Sequence, residues 1–190
     1  VIIHYTGMQS EIESLKRLKS HTSKVSCHYL INRKGRVAQM IKDKDIAWHA
    51  GKSKWKKFTN LNSSSIGIEL VNKGHQFGYQ NFTEDQIKSL IILCKQLKKK
   101  YKIKTENFLG HSDIAPLRKI DPGEKFPWKY LAKNKVGIWH DYEPNLLRKF
   151  RRTKILAQQD KKRFIKNLNK IGYCFSAKNK LFFIKIIKAF

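Results

Sequence analysis

The spacing of apolar residues changes several times along this chain, and each change marks an element. VIIHY at residues 1–5 is almost unbroken β-branched sequence and predicts a buried strand. Between residues 9 and 20, Ile12, Leu15 and Leu18 recur among charges, which predicts an amphipathic helix. CHYLI, NRKGR and VAQMI then predict a hairpin about a Lys34–Gly35 turn. SIGIELV at residues 65–71 predicts another strand. Thr83 opens a T-E-D-Q capping box with Gln86, and Ile87, Leu90, Ile91, Cys94, Leu97 and Tyr101 follow at helical spacing. NFLGH at residues 107–111 predicts a last strand. This order predicts an α/β fold, a mixed central β-sheet flanked by helices.

Beyond Trp139 the pattern becomes helical only. Leu146, Leu147 and Phe150 form one apolar group, Phe164, Ile165 and Leu168 a second, and Leu181, Ile184, Ile187 and Phe190 a third. Two units are therefore expected: a sheet domain over residues 1–139 and a small all-α C-terminal module over residues 140–190.

A length of 190 residues with 41% hydrophobic content suffices for one such domain and an appendage. The charge changes the picture more: 41 Lys and Arg against 14 Asp and Glu leave +27. Such an excess suits nucleic acid, anionic lipid or an acidic wall polymer. It is spread rather than focused, since residues 140–190 carry 14 basic and 3 acidic residues. Frequent Lys, Ile and Asn fit an AT-rich genome equally well. No aromatic-and-basic groove motif or helix-turn-helix signature appears, so a nucleic-acid partner is not expected. Three cysteines without CxxC spacing argue against a disulfide framework or a structural zinc knot, and Cys94 reads as core. Lys185 and Lys188 interrupt the apolar end LFFIKIIKAF, so no transmembrane segment is expected. Val1 lies inside an apolar run and Phe190 inside a helical pattern, so the chain reads as a fragment.

One segment fits no period. GHSDIAPLRKIDPGEKFPW, residues 110–128, holds one His, two Asp, one Arg, two Lys, one Glu and three Pro. His111 ends a strand there, and Asp121 follows ten residues later. With His4 they make two imidazoles and one carboxylate, the ligand types of a catalytic zinc site with an open fourth position. Alternatives stand beside this on the residues alone. His4 also reads as a satisfied core histidine and Asp121 as a turn cap before Pro122–Gly123; HExxH is absent.

The blocks VIIHYTG, VSCHYLI, AWHAG, SIGIELVN, GHSDIAP and RKIDPGEKFPW, in this order over residues 1–138, resemble the type-2 N-acetylmuramoyl-L-alanine amidases. The fold is shared with the peptidoglycan recognition proteins, and the likeness is to the AmpD/AmiD branch, with Asp121 where other branches usually carry Cys. The resemblance implies Zn2+ held by His4, His111 and Asp121, with Glu69 and Lys119 as catalytic groups. It implies hydrolysis of the amide between N-acetylmuramic acid and L-alanine, in peptidoglycan or muropeptides, during wall turnover or recycling. His49 resembles a substrate-facing residue, and Asn62 and Arg118 are candidate substrate contacts. Trp48 reads equally as core or as a sugar platform. His28 is expected to be a satisfied core imidazole, and Asp113 to bond backbone amides near His111. LNKIGYCFSAKNKLFFIKIIKAF resembles the start of a type-1 peptidoglycan-binding module. That tail favours the cell envelope, periplasmic or outer-membrane-attached, over a cytoplasmic recycling enzyme. A monomer is expected. A non-catalytic recognition protein on the same fold would generally lose a ligand, and none is lost here.

Overall fold

Strand β1 (Ile2–Tyr5) is central in a five-stranded sheet of order β3-β2-β4-β1-β5. Its neighbours β4 (Gly67–Leu70) and β5 (Leu109–Gly110) run parallel to it. β2 (Tyr29–Ile31) is parallel to β4, and only the edge strand β3 (Val37–Gln39) is antiparallel. The structure, a computed structural model, describes residues 1–143, 145, 158–174 and 185. Among these, no helix is long and apolar enough to cross a membrane.

Period-two alternation sends Ile3 to one face of the sheet and Ile2 to the other. On the first face lies α2 (Glu84–Tyr101), which buries Ile87, Leu90, Ile91, Cys94 and Leu97. The capping box is present in full: Thr83 Oγ1 accepts from Gln86 N, and Gln86 Oε1 accepts from Thr83 N. Helix α1 (Glu11–Lys19) starts at Ser10, whose hydroxyl oxygen accepts from Glu13 N. It packs Leu15 and Leu18 against Cys27, Leu30 and Val71. Ile12 departs from expectation and is 67% exposed. Residues three apart drift by about 60° around a helix, so burying Leu18 and Ser14 turns Ile12 outward. The hairpin turn is shaped by Asn32 Oδ1, which accepts from Lys34 N and Arg36 N. Strand β5 is only two residues long; a 3-10 turn at Thr105–Asn107 occupies the start of the expected strand.

Sequence patterns missed one polar knot. Asp43, its side chain 6% exposed, accepts from Tyr29 Oη, Lys100 Nζ, Tyr101 Oη and Gln39 Nε2. Burial works against its ionisation, but the tyrosine and lysine donors outweigh it and hold the carboxyl below its usual value. A folded-state pKa below the unfolded one gives stability above the unfolded value that is lost as pH falls. Asp43→Ala is therefore expected to cost about 1–3 kcal/mol at neutral pH. In thermal melts the deficit should shrink once pH drops below 3.8, the ordinary Asp value; a deficit unchanged at pH 3 would count against this account.

The face opposite α2 is covered by a helix that the pattern reading assigned to a separate module. Helix α5 (Gln158–Ile171) follows α3 (His111–Ile114) and α4 (Trp128–Lys133). Leu168 and Tyr173 are buried in one cluster with Ile2, Trp55, Leu61 and Ile114, and Phe164 packs at its edge. Lys56 N donates to Gly172 O at 2.7 Å. Residues 158–174 thus share a core with the sheet domain. The groups Leu146, Leu147 and Phe150, and Leu181, Ile184, Ile187 and Phe190, lie outside the described residues, as does most of the wall-binding pattern.

Candidate metal centre and active site

Parallel pairing places His4 opposite Glu69, so both side chains leave one face of adjacent strands. At the end of β5 the chain turns at Gly110 into α3, whose first residue is His111. Asp113 fixes that junction: one carboxylate oxygen accepts from Gly110 N at 2.7 Å, and the other from the Tyr173 hydroxyl. The irregular segment then bends back. Arg118 N and Lys119 N both donate to Ala115 O, and Ser112 N donates to Asp121 O at 2.9 Å. A Cβ on Gly110 would lie 2.6 Å from Pro122 Cδ, so only glycine admits this return. The loop is irregular because it must carry Asp121 back beside His111.

Three donor atoms converge there. His4 Nδ1 lies 3.0 Å from His111 Nδ1 and 3.0 Å from Asp121 Oδ2, and His111 Nδ1 lies 3.2 Å from Asp121 Oδ2. All three residues are buried. Burial pushes His4 down to about 4, with His111 adding to the effect, so its imidazole is neutral. His111 Nε2 lies 3.0 Å from Ala50 O. A carbonyl only accepts, so a neutral His111 carries its proton on Nε2 and presents a bare lone pair at Nδ1. Neighbouring donors around a tetrahedral zinc with bonds of about 2.0–2.1 Å are separated by about 3.3 Å. The donor types, their spacing and their protonation are compatible with a divalent metal.

Glu69 stands beside this group, buried, and its Oε2 has no hydrogen-bond partner among the described residues. Burial, and next the Asp121 charge, push its pKa up to about 8, while the Lys119 charge pulls it down. Lys119, half-buried, acts on both Glu69 and His4 by its charge. An unpartnered buried carboxyl oxygen beside a metal-competent donor set is suited to handling a proton.

The remaining candidates are placed differently from expectation. His49 is buried, with Nδ1 3.0 Å from His4 Nε2 and Nε2 3.4 Å from Ser65 Oγ, so it backs His4 rather than facing open space. Asn62 Oδ1 accepts from the backbone N–H groups of His49, Ala50 and Gly51. Arg118 Nη2 donates to Ala50 O and Lys52 O. Both residues use these atoms to shape the loop behind the site. Trp48 is 52% exposed, which removes its core reading. His28 is the satisfied core imidazole expected: Nδ1 accepts from Gly67 N and Nε2 donates to Asp45 O. Ser65 and Gly67 were not singled out in advance. A glycine inside the strand pattern SIGIELV was the available sign, since it marks close approach by another group.

A mainly parallel sheet with flanking helices, an α/β domain, brings two buried imidazoles and a loop carboxylate into a group that could hold one metal ion. The chain belongs to the N-acetylmuramoyl-L-alanine amidase family, which it matches over residues 1–124. It is 42% identical over 153 residues to N-acetylmuramoyl-L-alanine amidase AmiD of Escherichia coli, covering 74% of this chain and 54% of that protein. It is 43% identical over 114 residues to 1,6-anhydro-N-acetylmuramyl-L-alanine amidase AmpD of Haemophilus influenzae, covering 59% of this chain and 60% of that one. The chain thus spans little more than half the length of these curated relatives. Among solved structures, E. coli AmiD in complex with the substrate anhydro-N-acetylmuramic acid-L-Ala-D-gamma-Glu-L-Lys superposes with a TM-score of 0.83 at 34% identity, covering 100% of this chain and 77% of that one.

Proposed function

We propose that this protein is a zinc-dependent N-acetylmuramoyl-L-alanine amidase that cleaves the amide between N-acetylmuramic acid and the L-alanine of peptidoglycan or muropeptides. The observation that carries the reading is the convergence of His4 Nδ1, His111 Nδ1 and Asp121 Oδ2, with buried Glu69 alongside. His4, His111 and Asp121 would hold the ion. Zinc, when bound, supplies Lewis acidity and lowers the pKa of water from ~15.7 to roughly 7.

In this reading Glu69 takes a proton from the attacking water and delivers it to the departing L-alanine amine. Its carboxyl must be ionised to begin, and burial and the Asp121 charge oppose that. The Lys119 ammonium and a nearby divalent charge both favour the ionised form. Lys119 also lends positive charge to the carbonyl oxygen as it becomes an oxyanion. The catalytic part of the proposal rests on residues 1–139. A wall-binding role for residues 140–190, and with it a place in the cell envelope, is supported by the tail's sequence resemblance alone.

The test is chromatography of muropeptides after incubation with metal-stripped and zinc-reconstituted protein, on intact peptidoglycan and on anhydro-muropeptides in parallel. Release of stem peptide beginning with L-alanine, only with zinc, is expected on one or both substrates. No release on either substrate with zinc bound would sink the assignment.

A further inference from the structure

The direction of one hydrogen bond in the site is decided two residues away from it. His4 Nε2 and His49 Nδ1 lie 3.0 Å apart, and either atom is able to donate. His49 Nε2 in turn lies 3.4 Å from Ser65 Oγ, and Ser65 Oγ lies 2.6 Å from Leu61 O. The Leu61 carbonyl only accepts, so the Ser65 hydroxyl proton goes to it. Ser65 Oγ is then an acceptor, and His49 donates from Nε2. A neutral His49 protonated on Nε2 has a bare Nδ1, which accepts from His4 Nε2–H. His4 is left with its Nδ1 lone pair facing His111 Nδ1 and Asp121 Oδ2.

We infer that His49, anchored by Ser65, is a positioning residue that locks His4 into the tautomer able to bind metal through Nδ1. The surroundings allow it no other place. A Cβ on Gly67 would lie 2.3 Å from His49 Cγ, so the ring rests directly on the β4 backbone. Asn62 Oδ1 accepts from the His49 backbone N–H at 3.1 Å. The next residue does the same service for the second imidazole, since Ala50 O takes the Nε2 proton of His111. Adjacent positions in AWHAG therefore set both tautomers, one by a side chain and one by a carbonyl.

The inference rests on the zinc reading above, and its test separates the two. Zinc affinity is measured by competition with a chromophoric chelator for the wild type, His49→Leu and His49→Asn. Outer partners of metal-bound histidine typically contribute 10–100-fold in affinity. His49→Leu is expected to bind zinc about 10–100-fold more weakly, while His49→Asn, whose Oδ1 can accept where Nδ1 did, stays within about threefold of wild type. A folded His49→Leu protein with wild-type affinity overturns the inference, as does an Asn variant as weak as the Leu variant. If His49→Leu does not fold, nitrogen-15 shifts of the His49 ring in the zinc-loaded wild type decide: its proton is expected on Nε2, toward Ser65 Oγ, and a proton on Nδ1 refutes the lock. Failure of the wild type to bind zinc at all would refute the metal reading instead.

Discussion

Asp121→Ala is expected to abolish both the hydrolytic activity and the zinc-dependent part of the protein's stability. Asp121 is the one anionic member of the donor set, and its Oδ2 lies 3.0 Å from His4 Nδ1 and 3.2 Å from His111 Nδ1. Its removal leaves two imidazoles and exposes their lone pairs to one another. An ion bound at a thousand times its Kd stabilises the folded chain by about 4 kcal/mol. For a domain of this size that corresponds to a rise in Tm of roughly 8–16 °C. Scanning calorimetry with zinc and then with a chelator should show such a shift in the wild type and none in the variant. An equal chelator-induced shift in Asp121→Ala would place the ion elsewhere and remove the basis of the functional assignment.

Glu69→Gln is expected to lower kcat by about 10²–10⁴ while leaving zinc affinity close to wild type, the usual scale for a lost general base. The amide keeps the shape of the side chain but cannot take up a proton at neutral pH. Stability should move the other way. A carboxyl whose folded pKa, about 8, lies above its ordinary 4.5 destabilises the folded state as pH rises between those values. Metal-free Glu69→Gln should therefore melt above metal-free wild type at pH 7, with the gap closing below pH 4.5. Loss of activity together with gain of stability marks a residue kept for chemistry at the expense of the fold. A zinc-loaded variant retaining more than a tenth of wild-type activity would remove Glu69 from the mechanism.

The parts of this protein that were readable in the sequence are those whose causes are local. The Thr83 capping box and the apolar stripe of α2 depend on residues three and four apart, and both appear as expected. The metal-competent triad was readable only as residue types. Their meeting depends on parallel register between β1 and β5 and on the return of the 115–128 loop, and neither leaves a periodic trace. His49 shows the limit most plainly. A histidine beside an exposed Trp48 reads as a surface contact, yet sheet geometry lays its ring upon Gly67, 18 positions later. The Asp43 knot is equally silent, because its donors come from β2, β3 and the far end of α2. The division at residue 139 follows a true change in pattern, but burial does not respect it. Tyr173 and Leu168 pack where Trp55 needs them.

That last arrangement bears on anyone who trims the chain. Cutting after the sheet domain would strip the cover from the Trp55 indole, which Gly172 touches so closely that a methyl group there would sit 2.7 Å from the ring. It would also cut the tether from Tyr173 through Asp113 to the turn that aims His111. A chain ending at residue 174 keeps both contacts, so what looks like an appendage is packed against the turn that carries His111.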